Sequence, residues 1–307
     1  MSLFKRKNLS TFFTMKKVII LAFLVLSGQS SWAQIREYQT SRLISTSGAG
    51  VASILTTESA ILNPASSAFF QGSSFSYQSY NSKLQKESDQ RVTDNNPFPG
   101  SNRSEGFFMS DNSGPVRGGL AYISQKENGL KRSRFNFHGA APIGKQTAMG
   151  ARYSFIEDKN QKYKSRHQSA LGLTHIVDEK MIFGLVLIDP TRATPNEERV
   201  IAGVQFAIAD RLTLIGDVGA QFTKALTKKY LWRAAVQITL FNDFFIRGGQ
   251  YYDNIYEMKG TSWGAGWVGP RFGIEFAQKY SQQFGSGFYL YEDEKIVDTS
   301  LSAIIKF

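Results

Sequence analysis

The sequence predicts an all-β protein, a transmembrane antiparallel β-barrel of about 14 strands with a small N-terminal plug, or hatch, in its lumen. Three observations favour this fold class. The chain begins with an export signal, no later apolar run is long enough for a membrane helix, and the remaining residues alternate between apolar and polar with the period of a β-strand. An exported chain with this pattern is either a soluble β-protein or an outer-membrane barrel.

The first 33 residues have the three regions of a secretory signal peptide. Five Lys and Arg residues precede the apolar run Val18–Leu26, and Ser31 and Ala33 fill the −3 and −1 positions of a cleavage site. This apolar run is far shorter than the ~20 residues that span a bilayer as a helix, so we expect cleavage after Ala33 and no membrane anchor. Met1 and Met15 are both candidate starts, because the segment from Met15 is a complete signal by itself.

The composition excludes several classes of site. The chain has no Cys, hence no disulfide framework and no thiol-based metal site. Its formal charge is +11, but the predicted signal holds five basic and no acidic residues, which leaves 31 basic against 25 acidic residues, a surplus of 6. We expect no nucleic acid partner for an exported protein with so modest a surplus. The sequence contains no phosphate-binding glycine loop and no His/Asp/Glu cluster with metal-ligand spacing, so we expect no cofactor and no metal.

Period-two alternation is clearest between residues 231 and 240. The even-numbered residues from Trp232 to Leu240 are all apolar, whereas the odd-numbered ones include Arg233 and Gln237. A soluble β-sandwich also alternates in this way, so the alternation alone does not decide between the two classes. In a barrel the apolar parity faces lipid, which predicts that Val236 points outward and Gln237 points into the lumen.

The breaks between the alternating segments favour the barrel. Short polar breaks near residues 142, 177, 209, 241 and 269 alternate strictly with longer, more charged breaks, as tight periplasmic turns alternate with external loops in outer-membrane barrels. The longer breaks are residues 84–105, 126–131, 157–162, 190–198, 224–229, 253–259 and 281–295. Fourteen strands result, although counts of twelve and sixteen stay open. The predicted strands are 72–83, 106–112, 116–125, 132–141, 145–156, 163–176, 180–189, 199–208, 211–222, 230–240, 243–252, 260–268, 270–280 and 297–307.

Aromatic side chains gather near the predicted strand ends, as in the two interfacial girdles of a membrane barrel. They include Tyr230, Trp232, Tyr251 and Tyr252. Phe307 ends the chain at the close of an alternating strand. A terminal aromatic residue of this kind resembles the signal that the outer-membrane assembly machinery reads.

A small, almost uncharged segment, residues 45–70, lies between the signal and the first predicted strand. It is rich in Gly, Ala and Ser, and its motif residues are Gly48, Gly50, Asn63, Pro64 and Ala65. A segment of this form in this position resembles the start of the FadL-like outer-membrane transport proteins. The count of 14 strands also agrees with that family, while the rest of the chain matches it in architecture and not in recognisable motifs.

The resemblance implies that residues 34–71 fold into the lumen as a hatch and that residues 72–307 form the barrel. An ordinary periplasmic linker is the alternative, but linkers are usually more polar. The resemblance also implies passive transport of small hydrophobic or amphipathic molecules. The chain is much shorter than FadL and lacks its long hydrophobic external insertions, which argues against a fatty-acid substrate. The second hypothesis is a barrel that transports nothing and serves as a scaffold, secretion accessory or surface receptor.

The polar parity carries charges that we expect to face the lumen. These residues are Arg152, Asp217, Arg233, Arg247, Glu275 and Lys306. They are either structural pairs of the wall or the lining of a mildly cationic passage that favours anionic or amphipathic solutes. The expected location is the outer membrane of a Gram-negative bacterium, and the expected partners are its lipid, its lipopolysaccharide and its assembly machinery.

His167 and Ser169 form a His-x-Ser motif that resembles the one in outer-membrane phospholipase A, a barrel enzyme. A Ser nucleophile needs a His base and an orienting third group. By parity both residues face lipid, but residues 170–172 lack the Asn-Gly-Arg of that family. We therefore expect an interfacial polar pair and no enzyme.

Overall fold

The computed structural model describes residues 35–54, 56–70, 72–85, 102–114, 117–127, 130–159, 165–194, 197–225, 228–241, 243–284 and 295–307. The predicted signal peptide, residues 1–33, lies outside the described residues. Much of the predicted external loops 84–105 and 281–295 lies outside them as well.

Fourteen antiparallel strands form one closed barrel. Consecutive strands pair along the chain, and β1 pairs with β14, with Phe75 opposite Ile305, to close the wall. The strands are β1 (Ser73–Gln85), β2 (Asn102–Asp111), β3 (Arg117–Glu127), β4 (Leu130–Pro142), β5 (Thr147–Asp158), β6 (Ser165–Ile176), β7 (Met181–Ile188), β8 (Arg199–Ile208), β9 (Leu212–Ala220), β10 (Tyr230–Thr239), β11 (Phe244–Asp253), β12 (Met258–Val268), β13 (Phe272–Gln283) and β14 (Lys295–Lys306). The predicted fold class and strand count are confirmed.

The apolar parity of the strands faces outward. In β10, Trp232 is exposed while the adjacent Arg233 is only 5% exposed. Leu171, Val218 and Leu301 are likewise exposed on the outer surface. A soluble sandwich has apolar side chains inside and polar side chains outside. The opposite arrangement seen here is typical of a barrel in lipid. Among the described residues, no helix has the length and apolar character needed to cross a bilayer.

The two ends of the barrel differ. At one end, which we call the inner end, β1 begins, β14 finishes and the tight turns lie; the opposite end, the outer end, carries the β1–β2 and β13–β14 connections. The amide of Phe307 donates to the carbonyl of Ser73 at 2.9 Å, which extends the closing seam to the C-terminal residue.

One predicted strand and one predicted connection are wrong in length. β2 covers ten residues, Asn102–Asp111, where the sequence predicted the shorter segment 106–112. β3 ends at Glu127 and β4 begins at Leu130, so the predicted long break 126–131 shrinks to two residues and the strict alternation fails there. The intervening sequence is Asn-Gly, the dipeptide most typical of a two-residue hairpin.

The predicted aromatic girdle needs one correction. Tyr230 and Trp232 are exposed on the outer surface, and the Tyr230 ring stacks on that of Tyr252, with 5.7 Å between centroids. Tyr251 instead points into the lumen, where its hydroxyl donates to Ser281 Oγ at 2.7 Å. Adjacent residues of a strand face opposite sides, so nearness to a strand end does not by itself place a side chain in lipid.

Three short helical elements precede β1 and lie in the lumen. They are α1 (Ser41–Ser45), α2 (Thr56–Ser59) and a 3₁₀ helix (Pro64–Phe69). α1 packs against β12 and β13, and the 3₁₀ helix packs against β4, β5 and β6. A second 3₁₀ helix, Ala209–Arg211, forms the turn between β8 and β9.

Candidate functional site

Residues 35–70, which we call the hatch, run through the lumen from the outer end to the inner end. At the outer end, the Arg132 guanidinium near the start of β4 lies 3.5 Å from the carbonyl oxygen of Ile35. At the inner end, the Arg117 guanidinium at the start of β3 donates to the carbonyl of Phe70 at 3.2 Å. Most described residues between them are buried. The chain therefore passes the full height of the lumen before β1 begins.

Local signals in the sequence set the shape of the hatch. The Thr40 hydroxyl oxygen caps α1 by accepting the amide of Leu43 at 3.1 Å, and the same hydroxyl donates to Glu58 of α2 at 2.6 Å. After α1, Gly48 has φ of +87° and donates its amide to the Leu43 carbonyl at 2.6 Å. The helix is terminated by the residue before it, Ser47, which has a left-handed φ of +56° and donates its amide to the Ile44 carbonyl at 3.2 Å. Together with the Gly48 bond this makes a Schellman motif, and the φ of Gly48 itself favours glycine.

Three of the predicted lumen-facing charges contact the hatch backbone. Arg233 donates to the carbonyl of Gly48 at 3.0 Å. Asp217 accepts the amide of Gly50 at 2.8 Å, and the next amide, Val51, lies 3.2 Å from the same oxygen. Arg152 donates to a carbonyl farther along the hatch, that of Ile61. The predicted hatch glycines and the predicted wall charges thus meet one another.

The other three predicted charges contact only wall residues in the described part of the chain. Arg247 pairs with Glu275 at 3.0 Å and donates to Gln237 at 2.8 Å. Lys306 lies 3.4 Å from the carbonyl of Gly269, in the β12–β13 turn. These side chains line the inner half of the lumen beside the hatch and do not hold it.

The predicted triplet Asn63-Pro64-Ala65 fastens the hatch to β6. The Asn63 side-chain amide donates to the hatch carbonyl of Val51 at 2.8 Å and to Thr174 Oγ1 at 3.1 Å. Its side-chain oxygen accepts the amide of Ala65 at 3.1 Å and caps the 3₁₀ helix. Pro64 occupies the first helical position, where its missing N–H costs nothing.

The wall receives this triplet in a notch of glycines that the sequence analysis missed. Gly150 of β5 and Gly172 of β6 pair directly, and both face the lumen. A Cβ atom on Gly150 would lie 2.6 Å from the amide nitrogen of Ala65, and one on Gly172 would lie 2.9 Å from Pro64 Cδ. Real Cβ atoms essentially never come so close, so only glycine fits. The sequence does contain a signal for this notch, because glycines stand at lumen-facing positions of two adjacent strands.

A second glycine pair continues the notch. Gly184 of β7 and Gly203 of β8 are direct partners. A Cβ atom on either residue would lie within 3.0 Å of Val51, 2.6 Å from its carbonyl carbon and 2.9 Å from its Cβ respectively. Four consecutive strands, β5 to β8, therefore each lack a side chain where the hatch touches the wall.

Charged residues before α1 anchor the outer end of the hatch, and sequence reasoning did not single them out. Arg36 donates to both carboxylate oxygens of Asp298 at 3.0 Å and to Ser82 Oγ at 2.7 Å. It also pairs with Glu127, which accepts its backbone amide at 2.9 Å. Glu37 pairs with Arg199 at 2.9 Å. The hatch thereby joins β1, β3, β8 and β14 across the lumen.

A second ionic cluster lies at the outer end around Glu197, in the β7–β8 connection. Glu197 pairs with Arg134 at 3.0 Å and Arg132 at 3.4 Å, and it accepts the Gln168 amide at 2.8 Å. Burial by itself raises the pKa of Glu197, but Arg134 and Arg132 outweigh it and bring the pKa down to about 2. The carboxylate is therefore ionised at neutral pH and links β4, β6 and the connection.

Two cavities lie on opposite sides of α1. The outer cavity, of about 60 Å³, borders the hatch at Gln39 and Ile44. The inner cavity, of about 260 Å³, borders it at Thr40, Ser41 and Arg42. The single turn of chain around α1 thus lies between the two cavities, one lined by residues of the outer half of the barrel and the other by residues of the inner half.

The inner cavity is lined by charge. Arg42, Glu58, Arg247, Glu275 and Lys306 all border it. Within the described residues Arg42 has no carboxylate within ion-pair distance, and its Nε has no hydrogen-bond partner. Asp243 borders the cavity as well, so its lining holds both signs of charge, and Arg42 faces it without an ion-pair partner among the described residues.

The fold is similar to that of several solved structures. The toluene transporter TbuX of Ralstonia pickettii matches with a TM-score of 0.68 and 13% identity, over 88% of this chain and 99% of that chain. The monoaromatic hydrocarbon channel CymD matches with a TM-score of 0.63 and 12% identity, over 87% and 97%. A FadL homologue from Pseudomonas aeruginosa matches with a TM-score of 0.62 and 11% identity, over 88% and 98%. The fold is that of the FadL-like outer-membrane transport proteins. No protein-family model matches the chain, and no curated protein sequence does either.

In this FadL-like barrel, the His-x-Ser pair faces outward. His167 is exposed, its Nδ1 contacts the Tyr153 hydroxyl, and its ring lies 5.4 Å from that of Phe155. The His167 nitrogen that would be oriented by a carboxylate in a triad is thus occupied by a phenol. The similar structures carry the names of transporters and channels. The described residues contain no group of three or more His, Cys, Asp or Glu placed to hold a metal ion.

Phe307 lies at the inner end of the FadL-like barrel, with its side chain 81% exposed. The residue is accessible there, at the edge of the closing seam between β1 and β14. Its predicted role in assembly stays a prediction.

Proposed function

We propose that this chain is an outer-membrane barrel that passes small amphipathic molecules passively, with the hatch as its gate. The observation that carries this proposal is the pair of cavities separated by α1. A displacement of this one turn, with the remaining hatch still fastened by Asn63 and Asp217, would join the two cavities. The names of the similar structures, a toluene transporter and a monoaromatic hydrocarbon channel, support a passage for small molecules.

The proposal includes a location and an orientation. Residues 1–33 act as a cleaved signal, and the inner end with its tight turns faces the periplasm of a Gram-negative cell, as in other single-chain barrels. Phe307 then lies on the periplasmic side, where the assembly machinery works. The outer end faces the cell surface.

The chemistry of the inner cavity favours an amphipathic solute over a neutral hydrocarbon. A cavity of about 150 Å³ holds benzene, so 260 Å³ accommodates one substituted ring. A neutral hydrocarbon would cover Arg42 without replacing its water, which costs free energy. A ring bearing a carboxylate would instead pair with Arg42. The proposed solute class is therefore small aromatic or aliphatic carboxylates.

Liposome uptake tests this proposal. Relative to protein-free liposomes, the mature chain should raise the rate of benzoate uptake by a larger factor than the rate of benzyl alcohol uptake, because the alcohol also crosses lipid unaided, and Arg42→Gln should remove that difference. Arg271→Gln, which removes an exposed guanidinium in the inner β12–β13 turn, is the matched control and should behave as the unchanged protein. An equal increase over protein-free liposomes for the two solutes with the unchanged protein would refute the assignment of the solute class.

The second candidate is a barrel that transports nothing and acts as a scaffold, secretion accessory or surface receptor. The anchoring of Arg36 by Glu127 and Asp298 favours it, because these buried ion pairs fix the hatch at its outer end. Planar-bilayer recordings separate the candidates. Deletion of residues 34–71 should create steady conductance if the hatch closes a passage. A deleted barrel that is folded, as shown by heat-modifiable migration, and still conducts nothing would favour the scaffold.

A further inference from the structure

Four cations form a continuous row on the outer surface of the barrel at its outer end. Arg103 of β2 pairs directly with Lys126 of β3, and Lys126 pairs with Lys131 of β4. The amide of Lys159, just beyond β5, donates to the carbonyl of Lys131 at 3.0 Å and brings the fourth cation beside the third. All four side chains are exposed and belong to the outward parity. We call this row the cationic ladder.

The ladder is unfavourable in isolation. Side chains directly opposite on neighbouring strands have Cβ atoms ~4.5–5.5 Å apart, and like charges at these positions destabilise a sheet. Within the described residues only Arg103 has a carboxylate partner, Glu105, at 2.7 Å. Glu157 is the other carboxylate on this face, and it accepts a hydrogen bond from Ser133 at 3.4 Å. An anion from outside the chain would relieve the repulsion.

The position of the ladder relative to the aromatic residues indicates where that anion lies. Each cation stands four residues beyond an aromatic residue on the same face of its own strand. The pairs are Arg103 with Phe107, Lys126 with Tyr122, Lys131 with Phe135, and Lys159 with Phe155. The four aromatic residues are themselves cross-strand partners and form a second row parallel to the ladder.

Simple geometry places the ladder at the level of lipid headgroups. Aromatic belts mark the boundary between hydrocarbon and headgroups. Four strand residues rise ~13 Å, and a strand tilt of ~40° reduces this to ~10 Å along the membrane normal. Long Lys side chains bend toward the polar layer. The ladder therefore faces the phosphate layer of the leaflet at the outer end.

We propose that the cationic ladder binds the phosphate groups of a bisphosphorylated glycolipid, the lipid A part of lipopolysaccharide, in the outer leaflet. The assignment rests on the orientation given under the proposed function, which puts the outer end at the cell surface. Two phosphates on one lipid can contact separate cations of the ladder at once, which a phospholipid with a single phosphate cannot do. The binding site is independent of the lumen and of whether the barrel conducts.

Native mass spectrometry on the folded mature chain in detergent tests the proposal. The probes are bisphosphoryl lipid A, monophosphoryl lipid A and phosphatidylglycerol. The test variant is Lys126→Gln with Lys131→Gln. The matched control is Lys145→Gln with Lys180→Gln, which removes two exposed lysines from the inner end.

The unchanged protein should bind bisphosphoryl lipid A more tightly than either single-phosphate lipid. The ladder variant should lose about thirtyfold in affinity, from two lysines near an anionic surface, and the control should keep full affinity. Equal affinity of the ladder variant and the unchanged protein would overturn the site. If phosphatidylglycerol bound as tightly as bisphosphoryl lipid A, or if the inner-end control lost as much affinity as the ladder variant, the proposed site would be wrong. The binding would then be a general attraction to anionic lipid. None of these results depends on uptake, so a failed transport assay leaves them interpretable.

Discussion

The Asn63 side chain occupies the space that a Cβ atom of Gly172 would need. The two residues are far apart in the sequence, and both are uncharged. Their contact nevertheless decides how the hatch meets the wall, because the Asn63 amide group can reach Thr174 and Val51 only if Gly172 presents bare backbone. The glycine notch and the Asn63 side chain thus fix the inner half of the hatch, while ion pairs fix the outer half.

Gly172→Ala should loosen the hatch without unfolding the barrel. An extra methyl group in a closely packed site costs about 1–3 kcal/mol. The expected result is faster protease cleavage of the hatch in folded, lipid-reconstituted protein. Gly248→Ala is the control, since a Cβ atom there would lie at an ordinary 3.7 Å from the nearest atom. Cleavage at the same rate in both variants would show that the notch does not hold the hatch.

Arg36→Ala should release the outer part of the hatch. The change leaves the carboxylates of Glu127 and Asp298 buried without their cation, a situation that typically costs about 3–5 kcal/mol. Hydrogen exchange of residues 35–48 should accelerate, while that of residues 63–69 stays close to the value of the unchanged protein. Uniform acceleration along the whole hatch would contradict two separate anchors.

The lowered pKa of Glu197 predicts how the stability of the protein depends on pH. Its folded-state pKa of about 2 lies below its ordinary value of 4.5, so its contribution is complete above about pH 4.5 and is lost as the pH falls toward 2. The urea midpoint of the unchanged protein should exceed that of Glu197→Gln at pH 6, and the gap should close between pH 4.5 and 2. A gap that stays constant over this range would show that the charge of Glu197 does not stabilise the fold.

Val236 and Gln237 test the outward and inward parities of β10. An arginine on the lipid face at the bilayer centre costs about 2–4 kcal/mol, whereas lumen positions tolerate charge. Val236→Arg should therefore lower folded yield strongly, and Gln237→Arg should lower it less. A bimane label at position 236 should also be quenched by lipid-dissolved quenchers. Quenching at position 237 in its place would shift the register of β10 by one residue.

The alternating parities were the part of the fold that the sequence could predict. Period two placed Asp217 and Arg233 on the lumen side, because alternation depends only on each strand's own residues. The residues that these charges contact could not be predicted from the sequence. Asp217 meets Gly50 across 167 positions of the chain, and that contact depends on how every strand between them is registered. Tyr251 was wrongly predicted to lie in the girdle from its position at a strand end, although it shares the parity of Arg247 and faces the lumen.

Other features are present in the sequence, but their role can be recognised only once the pairing register of the strands is known. Gly150 and Gly172 stand at the lumen parity of neighbouring strands, yet only their direct pairing makes a notch. Arg36 and Glu37 precede the uncharged segment that resembled a known family, and their charges anchor the hatch at the opposite end from that segment's motif. A motif identifies its own segment and does not indicate where the neighbouring residues go.

The path of the hatch also bears on how the barrel wall is held closed. Ile35 lies at the outer end, whereas β1 starts at the inner end, so the segment between them fills the lumen along the inside of the wall. The seam between β1 and β14 joins the two ends of the barrel sequence, and α1 touches both sides of it, through Gln78 and Ser300. The hatch therefore bridges the closing seam from inside, so its contacts hold the first and last strands together in addition to their own backbone hydrogen bonds.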